Sequence, residues 1–192
     1  MATHPPSYLK AIVIAHGKSE KNIGDYVKSN LKLKLEIVSD KKGAKSIQIN
    51  SLLNFLNRTE FKSFRGFLTK YKYDLPINIK KLPDDFKVFI IMDTDDCSEE
   101  KKKAFISRTL FKNHWLKDYI VPIYNIENLE TAMRKANIQI QYKKDYIKIF
   151  PVNKNGDVTN VKEIKNLSNK LKKHKDITNL PDFFDFCLDL LK

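Results

Sequence analysis

The chain has 192 residues, with 36 Lys and Arg against 23 Asp and Glu and a formal net charge of +13; that length suits one hydrophobic core with a small appendage rather than two independent cores. The charge excess predicts an anionic partner, most simply a nucleic-acid backbone, against the alternative of a Lys-rich background composition with no ligand behind it. Two cysteines, Cys97 and Cys187, exclude a disulfide framework and a Cys/His zinc site, and with no apolar run of about 18 residues and no signal-like start the expectation is a reduced, cytoplasmic protein without a membrane span.

After a Pro-containing leader, Ala11 to Ala15 is a short, wholly apolar run that predicts a strand buried on both faces. His16-Gly17-Lys18 breaks it. Ser19 is a suitable N-cap, and Ile23, Val27 and Leu31 recur at helical spacing. Leu35 to Val38 predicts a second strand, Asp40-Lys41-Lys42-Gly43 a turn, and Ile49, Leu52, Leu53 and Leu56 a second amphipathic helix. The β-α-β-α alternation predicts a parallel sheet with crossover helices. Phe61 to Leu82, bounded by Pro76 and Pro83, reads as an insertion or helical excursion, with residues 60–85 as its span.

Lys87 to Met92 is the clearest buried strand, and it ends in acid. Ser98 is placed to cap a helix carrying Ala104, Phe105, Phe111 and Trp115; Tyr119 to Tyr124 returns as a strand and Asn125 opens a further helix. Residues 1–137 form the predicted α/β domain. Beyond Asn137, Gln139 to Phe150 reads as strand or loop, Lys162 to Lys175 as a lysine-rich helix, and Pro181 to Leu191 as an apolar segment docked on the same domain, so residues 138–192 form a basic C-terminal extension.

Three places carry candidate chemistry. Asp93, Asp95 and Asp96 emerge together from a strand, where a parallel sheet has its functional crevice. Mutually repelling carboxylates invite Mg²⁺ or Mn²⁺, hard cations that take oxygen ligands and keep waters and substrate phosphates in their shell; the alternative is an acidic turn capping the next helix. At the end of the first strand Gly17 permits a tight turn and Lys18 can meet a phosphate at a helix N-terminus, although such a junction is also ordinary turn chemistry. Glu127 and Glu130, three residues apart after the later strand, either add a carboxylate to the metal shell or complement a helix dipole.

The apolar strand with His-Gly-Lys-Ser-Glu, the strand with Asp-Thr-Asp, and the later strand with Ile-Glu-Asn-Leu-Glu together resemble a TOPRIM domain, in the nuclease-like branch of OLD-family and RloB-like abortive-infection proteins. The resemblance covers Ala11 to about Asn137. It implies a Rossmann-like, mostly parallel sheet flanked by helices, with Asp93 and Asp95 as Mg²⁺ or Mn²⁺ ligands and Glu127 or Glu130 as an extra acid, for phosphodiester cleavage in phage defence. It leaves room for a protein partner such as an ATPase. The family's leading Glu is replaced here by His16; imidazole can transfer protons near neutral pH, and Glu20 supplies the lost oxygen if it points back across a short loop. The alternative is a catalytically inactive module that binds nucleic acid or protein. Ala15 stands where a histidine phosphatase has its Arg, and the chain has no P-loop.

Lysines predicted to contact phosphates fall in clusters: Lys41, Lys42 and Lys45 after the second strand, Lys101 to Lys103 after the acidic loop, and Lys170, Lys172 and Lys173 within the C-terminal run, each with a solvated helix face or turn as its alternative.

Overall fold

A computed structural model of the chain describes residues 8–58, 60–76, 79–140, 142 and 144–192; most of the Pro-containing leader lies outside them. Four strands, β1 (Ala11–Ala15), β2 (Leu35–Val38), β3 (Lys87–Asp93) and β4 (Ile120–Asn125), form a sheet in the order β2-β1-β3-β4. Every pairing is parallel. The apolar runs of β1 and β3 are buried on both faces because helices cover both, while the edge strand β2 is only partly buried. Ala11 and Val13 face one core with Phe89 and Ile91, while Ile12 and Ile14 face the other with Val88, Ile90 and Met92.

The first core is closed by α1 (Lys18–Leu31), α5 (Leu129–Lys135), α6 (Asp145–Ile149), α7 (Val161–Leu171) and α8 (Leu180–Asp189), and the second by α2 (Leu52–Leu56), α3 (Phe64–Tyr71) and α4 (Glu99–Ile106). Residues beyond Asn137 contribute Tyr146, Phe150, Leu171, Phe183 and Phe184 to the α1 core. Each fully buried side chain of this size stabilises the fold by about 1.5–3 kcal/mol. Among the described residues no helix is long and apolar enough to cross a membrane.

Several elements differ from expectation. The helix predicted across Ile49 to Leu56 divides into a 3₁₀ turn, Ile49–Ser51, and α2. The helix capped by Ser98 stops at Ile106, since Arg108 is left-handed at φ 66°; Phe111 sits in a separate 3₁₀ turn and Trp115 follows it. Asn128, not Asn125, caps α5. The strand-or-loop segment before Phe150 contains the helix α6.

The chain leaves β1 in one direction, through α1 to β2, and leaves β3 in the other, through α4 to β4. Right-handed crossovers then place α1 and α4 on opposite faces, and the carboxyl ends of β1 and β3 become the switch point at which open α/β sheets take ligands.

Candidate functional site

At the switch point β1 stops opposite Ile91, whereas β3 continues to Asp93, paired with Asn125 of β4. Asp93 therefore overhangs the end of β1. The β1–α1 loop fills the space: His16 N–H donates to the Ile91 carbonyl at 2.9 Å, and Glu20, in the first turn of α1, folds back so that its carboxylate accepts from Gly17 N–H at 2.8 Å. That contact is the acid half of a capping box, and the glycine at the cap supplies no side chain to answer it. The result is a glutamate only 3% exposed, held beside Asp93, itself 7% exposed.

Asp93 Oδ1 accepts from Asn125 Nδ2 at 3.1 Å and from Leu129 N–H, in the first turn of α5, at 3.0 Å. Thr178 donates to Asn125 Oδ1 at 2.8 Å, which orients the amide with its donor toward Asp93. The C-terminal segment thus fixes the site from behind. Burial, followed by the charge of Glu20, pushes the Asp93 carboxyl up to about 7; His16 and the Asn125 hydrogen bond oppose this, and Glu130 adds to it. Glu130 is near enough to act on Asp93 by its charge and accepts from the Ser19 hydroxyl at 3.3 Å. Buried Tyr146 has its hydroxyl among these groups: burial and then Glu130, Glu20 and Asp93 all raise its proton affinity.

The predicted residues divide accordingly. Glu20, Asp93 and Glu130 come together from α1, β3 and α5, with His16 at their edge. His16 is half-buried, its Nδ1 makes no hydrogen bond, and its charge favours ionisation of both Asp93 and Asp96. Asp95 is exposed on the turn. Glu127 parts from Glu130: its backbone is left-handed at φ 63°, its carbonyl accepts from Thr94 N–H, and its carboxylate accepts from Thr131 at 3.3 Å. Asp96 does not cap α4, a task of the Ser98 side chain; burial raises its carboxyl instead.

Lys18 is exposed on the first turn of α1. The loop bearing exposed Lys41, Lys42 and Lys45 packs directly on that junction: Gly43 has φ +87°, and a Cβ there would meet Lys18 Cα at 3.0 Å. Asp40 steadies the loop by pairing with Arg58 at 3.2 Å, which holds its carboxyl below the usual range, and with Lys45 at 3.9 Å. Exposed Lys170 and Lys173 lie along α7 and just beyond it, and Lys172 is tied to Asp185 at 2.6 Å.

The sequence read Asn125 only as the start of a helix and did not single out Tyr146. Asn125 carried a weak signal, a polar residue at a strand end level with Asp93; Tyr146 carried none, because its helix was not recognised. Among the described residues no three His, Cys, Asp or Glu side chains stand in a set that could hold a metal ion. The donor set still suits an ion of the Mg²⁺ class, which usually takes one or two carboxylates and completes its shell with water and substrate phosphate oxygens.

No family model matches the chain, and neither the curated proteins nor the solved structures include a match.

Proposed function

We propose that the chain is a TOPRIM-like, metal-dependent protein that cleaves phosphodiesters in nucleic acid at the carboxyl ends of β1 and β3. One observation carries this reading: carboxylates from three separate elements, Glu20, Asp93 and Glu130, converge at the switch point, where burial and then the charge of Glu20 push the Asp93 carboxyl up to about 7. Glu20 and Asp93 would hold Mg²⁺ or Mn²⁺, which when bound supplies charge stabilisation for the phosphoryl oxygens and an activated water. Glu20 would supply the oxygen of the leading Glu that the resemblance gives to the end of the first strand, and His16, whose charge favours ionisation of Asp93 and Asp96, would assist proton transfer. Lys18 and the Lys41–Lys42–Lys45 loop neutralise and orient the phosphate backbone.

The test is incubation with single- and double-stranded DNA and RNA in Mn²⁺, Mg²⁺ or EDTA. Asp93→Asn and Glu20→Gln keep their hydrogen-bond acceptors and remove the charge, and are expected to lower the cleavage rate at least about 100-fold, as loss of roughly 3 kcal/mol of transition-state stabilisation would. Cleavage that survives both EDTA and Asp93→Asn would sink the assignment. His16 in place of the leading Glu favours a second reading, a module that binds nucleic acid without cutting it; it predicts salt-sensitive binding that EDTA does not change.

A further inference from the structure

Between α1, α6 and α7 lies a groove of about 710 Å³, within the size range of small-molecule sites. Its floor combines the edges of two nearly buried rings with Ile138, Ile149, Pro151 and Leu167. Tyr26 of α1 and Phe150, which follows α6, meet edge to face with centroids 5.3 Å apart. One wall is formed by α7 and the turn after it: Ile164 and Leu171 turn into the core, while Glu163, Asn166, Asn169, Lys170 and Lys173, at three- and four-residue spacing, line the groove beside Leu167. Lys148 of α6 lines it as well. The walls face one another closely enough that Glu163 adds to burial in pushing the Tyr26 phenol up to about 12.

We propose that this groove binds a nucleoside monophosphate, its base against the Tyr26–Phe150 floor, its edge on the Asn166 and Asn169 amides, and its phosphate on Lys170 and Lys173. Three lysines against one glutamate select an anion. A bare phosphate leaves the aromatic floor unused, and an alkyl anion would strip water from the amides without replacing their hydrogen bonds, at about 1–3 kcal/mol for each buried group. A planar base with donors and acceptors on its edge answers both conditions. Beneath the groove Phe150 packs at 5.9 Å on buried Tyr146, whose hydroxyl lies beside Glu130. Binding here does not depend on whether that site cleaves anything.

The experiment is isothermal titration of the full chain, in EDTA, with the four ribonucleoside monophosphates, their nucleosides, inorganic phosphate and decanoate. At least one monophosphate is expected to bind about tenfold or more tighter than its nucleoside and than phosphate, and the double variant Lys170→Glu/Lys173→Glu to weaken it by about tenfold or more, the factor that one lost charge-assisted hydrogen bond gives. Both lysines are exposed, so circular dichroism should show the fold kept; Asn166→Leu, also exposed, should weaken the monophosphate and spare decanoate. Asp93→Asn should leave binding unchanged. Failure of every monophosphate to bind, equal affinity for decanoate or phosphate, or binding untouched by the lysine substitutions would each overturn the proposal.

Discussion

Asp93 is pushed up to about 7 in the folded chain by burial and by Glu20 and Glu130, whereas an unfolded Asp titrates near about 3.9. Between these values the folded state binds more protons than the unfolded state, so the group's favourable contribution is fully present below about pH 4 and is lost as pH rises through about 7. Asp93→Asn keeps Oδ1 as acceptor for Asn125 and Leu129 and removes the charge. It should therefore raise the melting temperature at about pH 8, by an amount corresponding to a few kcal/mol at most, and flatten the decline between about pH 4 and 7. Thermal denaturation of both proteins across that range checks this; a variant no more stable than its parent at the alkaline end would show that Asp93 is not strained by its neighbours. Mn²⁺ should stabilise the parent at about pH 8 and have little effect on Asp93→Asn, because an ion that binds only the folded state raises stability by mass action.

At the scale of elements, two local devices hold the site. Gly43 brings the lysine loop against α1 with φ +87°, and a Cβ there would meet Lys18 Cα at 3.0 Å. Gly43→Ala should accordingly cost on the order of 1–3 kcal/mol and weaken nucleic-acid binding by shifting the loop, readable from urea denaturation together with a binding titration. Asn128 accepts from Thr131 N–H at 2.9 Å and begins the turn that carries Leu129 N–H to Asp93 and Glu130 to Ser19; Asn128→Ala should cost about 1 kcal/mol, with hydrogen exchange accelerated at the start of α5. The strands were legible because unbroken apolar runs have few other homes, and Ser98 was legible as a cap from its place before a helix. The parting of Glu127 from Glu130 was not, since it follows from a left-handed residue rather than from spacing. The return of Glu20 toward β1 was visible only as a condition, a short loop, that Gly17 satisfies. Tyr146 was hidden because α6 is a single short turn whose stability comes from packing, which local sequence does not report.

Across the whole molecule the +13 charge is divided between places with different surroundings. The Lys41, Lys42 and Lys45 loop rests on the β1–α1 junction through Gly43, at the edge where the carboxylates converge. Lys170 and Lys173 instead line the groove beside Tyr26 and Phe150, and Lys172 is engaged by Asp185. A duplex, whose bases are stacked and paired, can use the first cluster for backbone contacts but offers the groove no free base. Reversing Lys41, Lys42 and Lys45 to Glu should therefore weaken duplex binding and reduce the slope of log K against log salt by about 2 to 3, since each phosphate contact contributes about 0.9. Reversing Lys170 and Lys173 should leave that slope within about one contact of the parent value. Fluorescence anisotropy of a labelled duplex over a salt series measures both. Equal losses from the two sets would mean that duplex affinity follows net charge alone and that the loop beside the carboxylates has no special place in the path of the strand.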